Sequence, residues 1–204
     1  NELAGDNVIS VNNAAGFSVG NEILIIQMQD YSGGAAGQYE FMKISSINGN
    51  ACTLNGSLNK SYYSGAFNSA SSRSAQVVRI PQYTMATVQI GASIVPAAWD
   101  GYTGGIVAFR ASGNVAVLGS ILATGKRFRG GAGGSGIHGS QGESYYGLGI
   151  SSTSPNGGGG SGGMHCNECV GGAGASYGSS GDTGKIDPWV CGTATSPGYI
   201  YGNA

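Results

Sequence analysis

The sequence predicts an all-β chain: a small β-barrel or sandwich leading into a short β-solenoid, with a glycine-rich C-terminal extension. Three observations predict it. No stretch sustains the 3.6-residue apolar period of an amphipathic helix. Short runs rich in Val, Ile and Leu recur instead, bounded by Gly, Asn and Ser. Of the 40 glycines, 24 fall after residue 129, which separates a part able to build a core from one with few large apolar residues. The expected divisions are 1–82 (barrel or sandwich), 83–129 (solenoid-like coils) and 130–204 (glycine-rich region).

Within 1–82, Asn7 to Val11 alternates as a strand does, and Glu22 to Gln29 has an apolar centre. From Tyr39 to Ile47 the chain alternates again, with Phe41, Lys43 and Ser45 on one side and Met42, Ile44 and Ser46 on the other. Asn48-Gly49 is read as the hairpin turn, because Asn and Gly tolerate the positive φ of a type I′ turn. Ala51 to Leu54 is then the partner strand. Gln76 to Ile80 closes the set, ended by Pro81, which lacks a ladder donor. The first short strand is expected either to join its own sheet or to be donated to a neighbouring molecule.

Within 83–129, Thr87 to Ile90, Ser93 to Val95, Ile106 to Arg110 and Asn114 to Leu118 read as short strands with small-residue corners, about one coil per 20 residues. The alternative is that they extend the first sheet system. In 130–204, runs such as Gly157 to Gly160 read either as flexible linker or as packed glycine helices of polyproline-II geometry. The interspersed Tyr145, Tyr146, Leu148, Met164, Tyr177 and Trp189 favour an ordered region with anchors.

Four stretches also carry a resemblance: Gly16 to Gln29, Gln76 to Tyr83, Trp99 to Arg110 and Ala123 to Gly131. They resemble, in order, a family of large glycine-rich bacterial cell-surface proteins, adhesin-like and of β-solenoid type. The resemblance implies export, an all-β body and a glycine-rich extension, and it supplies no catalytic residues.

Charged residues make up 9% of the chain, with a net charge of -1. A nucleic-acid partner needs clustered Lys and Arg, and Lys126, Arg127 and Arg129 alone are too few. No run of some 20 apolar residues is present, so no membrane-spanning helix is expected. The four cysteines, Cys52, Cys166, Cys169 and Cys191, are read as disulfide candidates of an exported, leader-processed chain. A zinc site from His165, Cys166, Cys169 and Cys191 is the competing reading. The string Gly131-x-Gly133-x-x-Gly136 lacks the strand and helix that a dinucleotide site requires. The acids are scattered, and no Gly-x-Ser-x-Gly elbow stands out with plausible partners. Neither an enzyme nor a cofactor or metal is expected. Tyr145, Tyr146, Tyr177, Trp189, Tyr199 and Tyr201 are the candidate contact aromatics, suited to stacking on sugars or on another subunit. The expected function is a self-assembling extracellular subunit of a bacterial surface fibre or sheath, forming a homo-oligomer or polymer. The alternative is an adhesin or receptor-binding module that recognises surface glycans.

Overall fold

The computed structural model describes residues 1–32, 34–65, 73–126 and 128, with the backbone of 175–176 and 199–200. There is no helix among them, and the described chain is all-β. Two compact units are present. The first comprises Asn1–Met28, Ala35–Gly65 and Arg73–Arg127; the second comprises Gln29–Gly34, Ala66–Ser72 and Phe128–Ala204.

The main sheet, in the first unit except for Gln29 and Asp30 at the end of β2, is made of β1 (Val8–Ser10), β2 (Glu22–Asp30), β3 (Tyr39–Asn48), β4 (Ala51–Leu54) and β5 (Arg73–Arg79), in the order β1-β4-β3-β2-β5. The β1–β4, β4–β3 and β3–β2 pairs are antiparallel. Of the expected barrel or sandwich, a closed barrel is not formed: β1 and β5 stand at the two ends of the order and do not pair. The first strand joins its own sheet, with Ile9 opposite Cys52. A further bridge between Glu2 and Tyr62 ties down the segment before it. In this structure the N-terminal strand is therefore a resident strand rather than a donated one.

The alternation of β3 explains how the sheet is built. Met42 and Ile44 face inward at a spacing of two, but Ile47, three residues beyond Ile44, also turns toward the core. A register shift between Ile44 and Ser46 absorbs the extra residue, as a β-bulge does. The hairpin loop is Gly49–Asn50, one residue later than expected, with Asn48 opposite Ala51. Gly49 takes φ 58, the left-handed conformation that the tight turn demands. The Asn50 side chain then serves the neighbouring loop, donating to the Asn12 carbonyl at 3.2 Å and accepting from the Ala14 amide at 3.3 Å.

The core gathers Ile9, Ile23, Ile25, Ile44, Cys52, Leu54, Leu58 and Tyr62. Burying each large aliphatic side chain contributes roughly 1.5–3 kcal/mol. Cys52 is 1% exposed and is a free thiol, so the disulfide expected at this position is not made. Its strand points it inward among isoleucines and leucines, and burial pushes its pKa up, which favours the unreactive protonated form. Cys166, Cys169 and Cys191 lie outside the described residues. Two buried glutamines act as clamps. Gln27 donates to the Tyr63 carbonyl and accepts from the Tyr63 amide, both at 2.8 Å. Gln76 does the same to Gly104, at 3.1 and 2.9 Å. A buried side-chain amide is stable only when satisfied in this way.

After β5 the pairing becomes parallel. The strands β6 (Gln82–Tyr83), β7 (Ala86–Val88) and β8 (Ser93–Ile94) pair, in order, with β9 (Arg110–Ala111), β10 (Val115–Val117) and β11 (Ser120–Ile121). Each partner stands 27 to 29 residues further along the chain, as in Gln82 opposite Arg110, Ala86 opposite Val115 and Ser93 opposite Ser120. The chain thus makes two stacked turns with a longer repeat than the expected 20. The expected strand Ile106 to Arg110 is reduced to its end, pairing only from Arg110 onward. Glycine permits the stacking: a Cβ on Gly119 would lie 2.2 Å from the Ala92 carbonyl oxygen of the turn below. The Ser93 and Ser120 hydroxyls share a hydrogen bond of 2.7 Å between the turns. The first turn begins directly on the sheet, where the Ile80 amide donates to the Glu22 carbonyl at 2.9 Å.

In the second unit, β12 (Ala175–Ser176) and β13 (Tyr199–Ile200) pair in parallel, and the Asp30 carboxylate accepts from the Ser32 amide and hydroxyl at 3.1 and 2.7 Å. Among the described residues no helix is long and apolar enough to cross a membrane.

Candidate functional site

The outward positions of β3 carry an unusual load. A solvent-facing strand position ordinarily holds a polar residue, yet Tyr39 and Phe41 occupy two successive ones and are 51% and 43% exposed. Their rings meet edge to face, with centroids 5.8 Å apart and planes at 76°, a favoured aromatic geometry. A cation sits over each ring. The Lys60 ammonium lies 5.6 Å from the Tyr39 centroid and donates to the Tyr39 carbonyl at 2.8 Å. The Arg110 guanidinium lies 4.7 Å from the Phe41 centroid.

Arg110 is placed by the first rung of the stacked turns and held by Glu22. Its Nε donates to both carboxylate oxygens at 2.9 and 2.8 Å, and Nη2 stands 2.8 Å from Oε1. Gln82 adds a bond of 2.7 Å to the same carboxylate. The Arg110 guanidinium beside Glu22 is the main cause holding that carboxyl below its usual range, and Gln82 and Lys43 act in the same sense. The Arg110 pKa is correspondingly raised. The result is a strip running from Lys60 over Tyr39 and Phe41 to Arg110, with Lys43 opposite Glu22 in the strand register. Lys43, Lys60 and Arg110 bring cations to it, beside the Glu22 carboxylate and the Glu40 carboxylate, which accepts from the Lys60 amide at 3.2 Å. A second aromatic pair, Tyr83 and Phe109, stands with centroids 6.1 Å apart.

The two outer strands of the open sheet line a cleft of about 490 Å³. Its lining includes Ser74 and Gln76 of β5, Ile9 and Ser10 of β1 with the loop after it, Tyr62 and Tyr102. Burial, with the Glu40 carboxylate nearby, pushes the Tyr62 hydroxyl well above the ordinary tyrosine range, so it stays neutral. The turn bearing Tyr102 is built on Asp100, whose Oδ1 accepts from the Tyr102 and Thr103 amides, both at 2.8 Å. Those bonds hold the Asp100 carboxyl below its usual range.

Of the aromatic residues singled out from sequence, Tyr145, Tyr146, Tyr177, Trp189 and Tyr201 lie outside the described residues. Tyr199 is described only as backbone, in β13. The strip residues were not singled out, although a signal existed: aromatic rings on the polar side of an alternating strand. Among the described residues no group of three or more His, Cys, Asp and Glu side chains is placed to hold a metal ion.

No family model matches the chain, and neither does any curated protein sequence. Among solved structures, the tailspike protein gp49 from Pseudomonas phage LKA1 is similar over 48% of this chain and 21% of that one, with 13% identity and a TM-score of 0.23. A likeness of that strength carries no argument about function.

Proposed function

We propose that this chain is a non-enzymatic binding module of an exported protein that recognises a surface glycan through the Tyr39–Phe41 strip. The observation that carries the reading is the pair of exposed rings flanked by Lys60 and Arg110. Flat rings offer an apolar face to the C–H side of a sugar, and the cations favour a sugar that bears a carboxylate. The resemblance to glycine-rich bacterial surface proteins fits this reading, as does a two-turn stack extended into a β-solenoid that carries the module. A test is a glycan array probed with the wild-type chain and with Tyr39→Ala/Phe41→Ala. Wild-type binding to acidic glycans that weakens with salt, and falls about tenfold or more in the variant, is expected. Equal binding by both proteins would sink the proposal, as would no binding by the wild type.

The fibre-subunit reading rests on a different observation. Every residue of β10 is exposed, with Val115 and Val117 prominent. A parallel turn ending in exposed valines is suited to stacking on a further turn or another copy.

A further inference from the structure

Resting on the reading of the strip as a glycan site, we infer that Lys43 makes it selective for an acidic oligosaccharide, taking the sugar's carboxylate at the end of the strip beyond Phe41. A strand sends every second side chain to the same face. Tyr39, Phe41 and Lys43 therefore stand in one row on the outward face of β3, and all three are exposed. The steps of strand from Tyr39 to Lys43 cover about 13 Å, which is longer than one sugar ring. A ligand that uses both aromatic rings and the ammonium is a chain of sugars lying along the strand, with its acidic unit next to Phe41.

The three cations of the strip differ in what they have left to give. The Arg110 guanidinium is committed to Glu22: Nε donates to both carboxylate oxygens at 2.9 and 2.8 Å, and Nη2 stands 2.8 Å from Oε1. The Lys60 ammonium donates to the Tyr39 carbonyl at 2.8 Å, and the Glu40 carboxylate accepts the backbone amide of Lys60, which sets a negative group beside it. The Lys43 ammonium makes no hydrogen bond or ion pair among the described residues. Glu22 faces it across the ladder, but that carboxylate is taken up by Arg110 and Gln82. All three donors of the Lys43 ammonium are left for a ligand.

The backbone of Lys43 is nevertheless fixed. Its amide donates to Asn55 Oδ1 and its carbonyl accepts the Asn55 amide, both at 2.9 Å. The strand itself lies in the interior of the sheet order, between β4 and β2. An exposed lysine on a strand is ordinarily a solvated residue. Lys43 differs by its place, the next outward position after two exposed rings on a strand held from both sides. A platform fixed in advance lowers the ordering cost of binding.

The experiment is isothermal titration of the whole chain with short uronic-acid oligosaccharides, and with the same oligosaccharides after their carboxylates have been reduced to alcohols. Wild type is expected to bind the acidic form more tightly, with a preference that shrinks as salt is raised. Lys43→Gln should weaken binding of the acidic form about two- to fivefold at low salt, the effect of one exposed ion pair, and leave the reduced form unchanged. Lys43→Arg should retain the preference, and Lys60→Gln should cost less than Lys43→Gln. The inference is overturned if Lys43→Gln weakens both forms alike, or if Lys60→Gln removes the preference instead. Loss of both forms in Tyr39→Ala/Phe41→Ala, with the preference intact in Lys43→Gln, would overturn it while keeping the strip reading. No binding of either form by wild type would overturn both.

Discussion

At the scale of single residues, Glu22 joins three parts of the first unit. Its carbonyl accepts from Ile80, its carboxylate holds Arg110 and Gln82, and it faces Lys43 across the ladder. Its folded-state pKa lies below the ordinary 4.5. A depressed carboxyl contributes stability that is fully present above the unfolded value and is lost as pH falls through the folded one. Melting curves are therefore expected to show wild type above Glu22→Gln at pH 7, with the gap closing as pH drops below about 4.5. The variant should retain some acid sensitivity, because Asp100 is depressed by its own backbone bonds. A gap unchanged at low pH would mean that the pair contributes through packing alone. Glu22 was legible only as the first residue of a strand. Nothing in its neighbourhood announces a partner 88 residues away.

At the scale of elements, close backbone approach decides where side chains are tolerated. Gly119 stacks on the turn below, so a Cβ would meet the carbonyl oxygens of Ala92 and Gln89 at 2.2 and 2.3 Å. Gly104 has φ +116, and a Cβ there would lie 2.4 Å from the Ala98 carbonyl oxygen. Backbone atoms cannot swing aside as a flexible side chain can. Gly119→Ala and Gly104→Ala are each expected to cost about 1–3 kcal/mol or more in chemical denaturation. Gly91 takes φ +79 with open space around its Cβ position, so Gly91→Ala should cost less, through backbone strain alone. Equal losses at all three would count against the stacking. The bulge in β3 was readable in principle: inward Ile44 and Ile47 stand three apart, which a strand of period two cannot satisfy without an extra residue.

At the scale of the whole molecule, the N-terminal segment separates a self-contained module from one completed by its neighbours. It contributes β1, the Glu2–Tyr62 bridge and the buried Ile9. Deleting residues 1–12 should therefore weaken or abolish cooperative unfolding. Removing the buried isoleucine alone costs about 2–5 kcal/mol by analogy with truncation to alanine, and the lost ladder adds to it. A deletion variant as stable as wild type by circular dichroism melting would show that this segment is dispensable to its own sheet and free for donation.

The sequence alone determined that the described chain is all-β and where its main strands lie. These follow from local rules: side-chain alternation and the conformations of glycine, asparagine and proline. Tertiary structure decided the rest. Whether β1 and β5 close a barrel depends on strand order and on what lies between their edges, and neither is encoded in any short window. Likewise, the repeat of 27 to 29 residues emerges from which backbone segments stack, since each short strand is compatible with several registers. The strip required Phe41 and Arg110, remote in sequence, to meet across the junction of sheet and stacked turns. The Cys52 thiol is free because its strand turns it inward, a burial that cysteine counting does not see. Local periodicity specifies elements, whereas contacts between distant segments specify sites.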